Sequence, residues 1–150
     1  MELKKRIDGD LKEAMLAGEG ARVTVLRGLK ATILDAEVAS GKREEGLADS
    51  EIEKLVMKEI KRRKEAIVMY ESNGRGDLVE SEKFEEEVLM GYLPEQMSEA
   101  DIRAKIDEVM SSFGTGEVVD MGRVIGKVKM LVGGSADGAT IARLVKEKIG

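Results

Sequence analysis

Six basic side chains near the C-terminal end have a spacing that chemistry can use. Arg123, Lys127 and Lys129 fall in Met121-Gly-Arg-Val-Ile-Gly-Lys-Val-Lys-Met-Leu-Val132, and Arg143, Lys146 and Lys148 in the stretch that follows. Arg123 and Lys127 are i,i+4 neighbours opposite an apolar stripe of Met121, Val124, Ile125 and Val128. Farther on, Ile141, Leu144, Val145 and Ile149 must turn inward, which sends Arg143, Lys146 and Glu147 outward. If both stripes face one core, an antiparallel pair sets the two basic rows on one surface. Cations displayed in this way suit the phosphates of a nucleic acid, with modest and salt-sensitive affinity.

Other constellations carry less. Cys and His are both absent, which removes the thiol nucleophile, the commonest general base and the commonest metal ligand. Carboxylates can always be paired, as Glu82 with Glu86, but nothing places such a pair beside a substrate. No catalytic residue, metal site or cofactor is expected. Lys58-Glu-Ile-Lys-Arg-Arg-Lys-Glu65 reads either as a phosphate-binding ridge or as a helix laced by i,i+4 pairs, the second being simpler. Glu59 and Arg63 fall inside an apolar stripe, so partial burial as a matched pair is expected. Gly133-Gly-Ser-Ala-Asp-Gly138 precedes a helix, so an anion site is conceivable, but a turn followed by an N-cap accounts for it. Gly122 and Gly126 lie one turn apart within a helix, at a cost of about 1 kcal/mol each relative to Ala. A close approach must compensate, either by another helix, the simpler reading, or by an RNA backbone.

The elements that hold these residues are helices throughout. Leu3, Ile7, Leu11 and Met15 mark the first, and Val23, Leu26, Leu29, Ile33 and Ala36 the second. Arg27, Lys30, Leu34 and Glu37 share another face of the second, where Lys30 and Glu37 are expected to pair with the third. Asp49 or Ser50 should cap that third helix, whose stripe is Ile52, Leu55, Val56, Ile60, Ile67 and Tyr70. The fourth runs from about Asp77 to Gly91, with Glu85-Glu-Glu87 as a solvated face. Ser98 has capping-box spacing to Asp101, ahead of Ile102, Ile106, Val109, Met110 and Phe113, and Gly114-Thr-Gly116 should end that helix. Asp120 and Asp137 are the expected N-caps of the last two.

Composition sets the frame. The chain has 150 residues, 42% hydrophobic but only 3% aromatic, so its core must be aliphatic. Pro94, the only proline, bars helical continuation after Tyr92-Leu93 and marks a joint. An all-α protein is predicted, with an N-terminal helical bundle over 1–92 and a small three-helix domain over 93–150. Net charge is −5, which argues against nonspecific coating of DNA or of an anionic membrane. Only 114–150 leans basic, with six basic and four acidic residues. No apolar signal region follows Glu2-Leu-Lys-Lys-Arg-Ile7 and no run approaches a membrane span, so a soluble cytoplasmic protein is expected.

Taken in order and with their spacing, Val25-Leu-Arg-Gly-Leu-Lys30, Glu59-Ile-Lys-Arg-Arg-Lys-Glu65, Tyr92-Leu-Pro-Glu-Gln96, Asp120-Met-Gly-Arg-Val-Ile-Gly126, Ala136-Asp-Gly138 and Leu144-Val-Lys-Glu-Lys148 resemble the GatB/YqeY family over essentially the whole chain. In the GatB subunit of tRNA-dependent amidotransferases this pattern is a tail that grips tRNA, while a separate catalytic cradle amidates misacylated tRNA. The resemblance implies a non-catalytic helical module that binds tRNA or structured RNA. Arg123, Lys127, Lys129, Arg143, Lys146 and Lys148 would be the contacts, and tRNA-related proteins further partners. A protein–protein adaptor without RNA binding is the rival. A carbon–nitrogen ligase using glutamine as amido donor is implied only through the missing cradle.

Overall fold

A computed structural model describes residues 2–113 and 119–150, and all seven α-helices fall within them, with no strand among the described residues. They are α1 (Glu2–Ala17), α2 (Gly20–Ala39), α3 (Asp49–Ser72), α4 (Gly76–Met90), α5 (Glu99–Ser111), α6 (Met121–Val132) and α7 (Gly138–Ile149), with a 3₁₀ turn at Gly133–Ser135. The expected helix stop at Gly114-Thr-Gly116 lies outside the described residues. The chain divides into two compact units, Met1–Leu93 and Pro94–Gly150, each with its own cluster of buried aliphatics. Leu93 packs with the first.

In the first unit α1, α2 and α3 bury Leu3, Ile7, Leu11, Leu26, Leu29, Ile33, Ile52, Val56 and Ile60 together, and Leu89 and Tyr92 close the cluster. Met15, expected inside, is exposed, and Ala14 is buried in its place. Steps of four overrun the 3.6-residue turn, so by the third step the stripe falls about one residue back. Tyr92 donates its hydroxyl to Asp10 Oδ2 at 2.6 Å, and the Arg6 guanidinium lies 4.9 Å over its ring. Burial and the Asp10 carboxylate push the phenol up to about 12, so it stays a donor.

Lys30 and Glu37 do form interhelix pairs, but with α1 rather than α3. Lys30 Nζ is 2.8 Å from Asp8, and Lys4 Nζ is 2.8 and 3.0 Å from the Glu37 oxygens. The Leu47 N–H donates to Glu37 Oε2 at 3.1 Å. Glu37 is thus a carboxylate only 1% exposed, with its oxygens matched. The Lys4 ammonium beside it holds its carboxyl below the ordinary 4.5. The start of α3 also differs from expectation, because Ala48 occupies the N-cap. Glu51 reaches back to the Ala48 N–H at 3.2 Å, and Asp49 instead accepts the Leu3 N–H at 3.2 Å.

Glu59 and Arg63 are partly buried and paired, as their place in the stripe required. Arg63 also lies 3.8 Å from Glu85, and Lys64 lies 3.9 Å from Glu86. Glu85 and Glu86 therefore face α3 and are half-buried, so the supposed solvated run is solvated only at Glu87. The α3 cations decide this, since a periodicity argument cannot see a partner on another helix. Glu82 sits in the same charged seam. Burial, and then the Glu85 charge, push its carboxyl above the ordinary value.

Lys4→Ala should destabilise the chain more than Glu37→Gln in denaturant melts. The first strands a buried carboxylate, a loss on the order of 3 kcal/mol. The second keeps an acceptor for the Leu47 N–H and should cost about 1 kcal/mol. Equal losses would contradict the burial of the pair on the Glu37 side. The pair's contribution is present above pH 4.5 and lost as pH falls from there through the folded-state pKa, so Glu37→Gln should also flatten the acid limb of the stability curve. Glu82 has the opposite sign: raised in the folded state, it opposes folding once ionised. Glu82→Gln should raise the melting temperature at pH 7, with the gain fading below about pH 4.5.

Candidate nucleic-acid interface

The second unit is built on three helices whose caps are written in the sequence. The Ser98 hydroxyl accepts the Asp101 N–H, Asp120 accepts the Gly122 N–H at 2.9 Å, and Asp137 accepts the Ala139 and Thr140 N–H groups at 2.8 and 3.2 Å. The elbow between α6 and α7 is therefore a turn with a filled cap, and Asp137 occupies the place an anion would need. Gly133 has φ +53°, a conformation that L side chains rarely adopt. The segment ahead of α5 lies along this elbow, with Gln96 Nε2 donating to Gly134 O at 2.9 Å and Met97 N–H to Ser135 O at 2.8 Å.

Val124, Val128 and Val132 of α6 pack with Ile141, Leu144 and Val145 of α7 and with Ile102, Ile106 and Val109 of α5. With Val124 and Val128 fully buried, the opposite face of α6 is fixed. It carries Gly122, Gly126 and Met130 in one row at i, i+4 and i+8. Arg123 and Lys127 flank that row on one side and Lys129 on the other. Both glycines are exposed, and Met130 is 85% exposed. A β-carbon built on Gly126 meets nothing within 4 Å, and one on Gly122 meets only Asp120 Oδ1 of its own cap. The expectation that these glycines admit a packed helix is therefore wrong: the valine seam turns them to solvent.

Arg123 and Lys127 share a support that sequence reasoning missed. Their charged groups lie 5.3 and 4.7 Å from the centre of the Phe113 ring, just past the end of α5. The ring's negative face attracts both cations and holds them together. Phe113 had been read only as a member of the α5 stripe. Its second role depends on a helix that the stripe does not reveal.

The α7 row is arranged differently. Arg143, Lys146 and Lys148 are exposed as expected, yet Arg143 is bonded to Glu99 at 2.5 Å and to Glu147 at 3.1 Å. Lys148 is 2.8 Å from Asp107. Arg143 keeps the Glu99 carboxyl below its ordinary value. Nor do the two rows converge. Arg143 meets the N-terminal end of α5, while Arg123 and Lys127 meet Phe113, about 20 Å away at 1.5 Å per residue. Among the described residues, Arg123, Lys127, Lys129 and Lys146 form no ion pair within 4 Å. In the first unit a cleft of about 330 Å³ between α1 and α2 is also rimmed by charge, but Lys4 and Lys30 there are matched by Glu37 and Asp8.

Residues 4–149 match the family model described as YqeY-like protein. The chain belongs to the YqeY-like family. Among its curated relatives is "Altered inheritance of mitochondria protein 41, mitochondrial" of Lachancea thermotolerans, 38% identical over 107 residues, covering 69% of this chain and 56% of that protein. Its namesake in Kluyveromyces lactis is 32% identical over 123 residues, covering 79% of this chain and 65% of the relative. The protein of that name in Pyrenophora tritici-repentis is 28% identical over 148 residues, covering 97% and 80%. The YqeY-like chain thus spans less than two thirds of the first two relatives. No helix among its described residues is long and apolar enough to cross a membrane.

Gly126→Ala should stabilise the second unit by about 1 kcal/mol, because alanine restores helix propensity where no neighbour objects. Native-state hydrogen exchange of the α6 amides measures this directly. Faster exchange in the variant would reveal a neighbour on that face.

Proposed function

We propose that this YqeY-like protein is a non-catalytic module that binds tRNA or a similarly structured RNA through the outward face of α6. The observation that carries the reading is the pair of solvent-facing glycines at 122 and 126, flanked by Arg123, Lys127 and Lys129. Glycine inside a helix costs stability, and no neighbour among the described residues recovers it. An external backbone that needs close approach recovers it, and the flanking cations suit that backbone's phosphates. The resemblance of this stretch to the tRNA-gripping tail of GatB supports the same reading. Lys146 adds one further cation with no ion-pair partner among the described residues, while Arg143 and Lys148 contribute less because carboxylates already hold them. Such a module works in an aqueous compartment that holds tRNA, either the cytoplasm or, as the names of the relatives say of those proteins, the mitochondrion.

One observation favours the adaptor reading. Met130 and Leu131, 85% and 55% exposed, end the same helix and would suit an apolar partner.

The two readings separate in one titration series. Binding of unmodified tRNA should be measurable at about 50 mM salt and fall steeply by about 200 mM. Arg123→Gln, Lys127→Gln and Lys129→Gln together should weaken it about tenfold or more at low salt. They should also lower the slope of log affinity against log salt by roughly 2 to 3. Gly126→Ala should weaken binding while stabilising the fold, a combination that a purely structural role does not produce. If tRNA binding is undetectable at low salt, the adaptor reading replaces this one.

A further inference from the structure

The α5–α7 side of the second unit contains a set of charges that the α6 site does not use. Three cations, Arg103, Arg143 and Lys148, face three carboxylates, Glu99, Asp107 and Glu147. Arg143 bonds Glu99 and Glu147, Arg103 lies 3.8 Å from Glu99 and 3.7 Å from Glu147, and Lys148 bonds Asp107. Four of them, Arg103, Asp107, Glu147 and Lys148, line a groove of about 200 Å³ with Ile106 and Leu144 at its floor. All six side chains are about half exposed. Pairs so exposed add little to stability, because water and salt screen them and ordering long side chains costs entropy.

A cation row matched one for one by weakly stabilising carboxylates is better explained as a control on binding than as a brace. We infer that Glu99, Asp107 and Glu147 act as built-in competitors for phosphate at the α5–α7 groove, a regulation that rests on the RNA reading above. Each carboxylate presents oxygens to Arg or Lys as a phosphate does, and it is tethered, so a phosphate from outside must displace it at high effective concentration. The groove is therefore neutral toward RNA while the acids are in place, and carries three cations once they are removed. The α6 face binds, and the acid set keeps that binding weak and reversible.

The test is tRNA binding by the full chain carrying Glu99→Gln, Asp107→Asn and Glu147→Gln. Affinity at about 50 mM salt should rise roughly tenfold or more, and the salt slope should steepen by about 2, as new phosphate contacts require. Glu99→Gln alone, which frees Arg143 with least disturbance, should move both quantities the same way by a smaller amount. Circular dichroism melts establish that each variant is folded. If the parent binds tRNA through α6 but the folded single and triple variants keep the parent's affinity and slope, the competitor inference is overturned and the RNA reading stands. If neither parent nor variants bind tRNA at low salt, the RNA reading fails and the inference falls with it.

Discussion

The rotation of α6 about its own axis is the constraint on which the second unit depends. Val124 and Val128 are one turn apart and fully buried, and Val132 continues the seam. A helix pinned at three such points has no freedom to turn. Everything else on α6 follows from that geometry: the glycines face outward, Arg123 and Lys127 reach Phe113, and Lys129 comes to the edge of the α7 start, where its Cε would lie 3.1 Å from a β-carbon on Gly138. The second unit has only about 60 residues, so its aliphatic seam has little area to spare. Replacing a seam valine would change the presented surface before it changed the surface's composition.

Much of the fold was legible because the forces involved are local. Asp120 and Asp137 cap because a short acceptor placed before an apolar run meets the free N–H groups of the first turn. The stripes of α2, α3, α5 and α7 follow from helical period alone. The errors share a different cause. Met15 for Ala14 is a phase error that accumulates along one helix. The partners of Lys30 and Glu37, the inward turn of Glu85 and Glu86, and the outward turn of Gly122 and Gly126 are choices between helices. A single-helix pattern shows which face a residue occupies, but not which helix, if any, covers that face. The candidate site shows the same limit: of its six cations, Arg143 and Lys148 are held by carboxylates of α5 and α7 that no single-helix pattern reveals.

Two kinds of ion pair divide the labour in this chain. Glu37 is buried, receives both a lysine and a backbone N–H, and fixes how α1 and α2 register against the loop before α3. Such a pair is expensive to break from the lysine side, which strands the buried carboxylate, and it specifies geometry. The pairs of α5 with α7 are half exposed and lack a backbone donor among the described residues. Water and salt screen them, so they add little to stability.

This division bears on the acidity of the chain. A net charge of −5 looks hostile to RNA, and a polyanion at long range does feel the sum. Contact is decided within about a Debye length, roughly 8 Å at physiological salt, where only neighbouring groups count. On the α6 face those neighbours are Arg123, Lys127 and Lys129, with a ring beside two of them and, among the described residues, no carboxylate within 4 Å of their charged groups. On the proposed RNA reading, a module built in this way would repel polyanions weakly at a distance and attract them at one patch. On that reading it would associate more slowly than a basic protein and select for partners whose shape lets a backbone reach the bare helix. Local charge arrangement, rather than the total, would then determine which RNA such a surface holds.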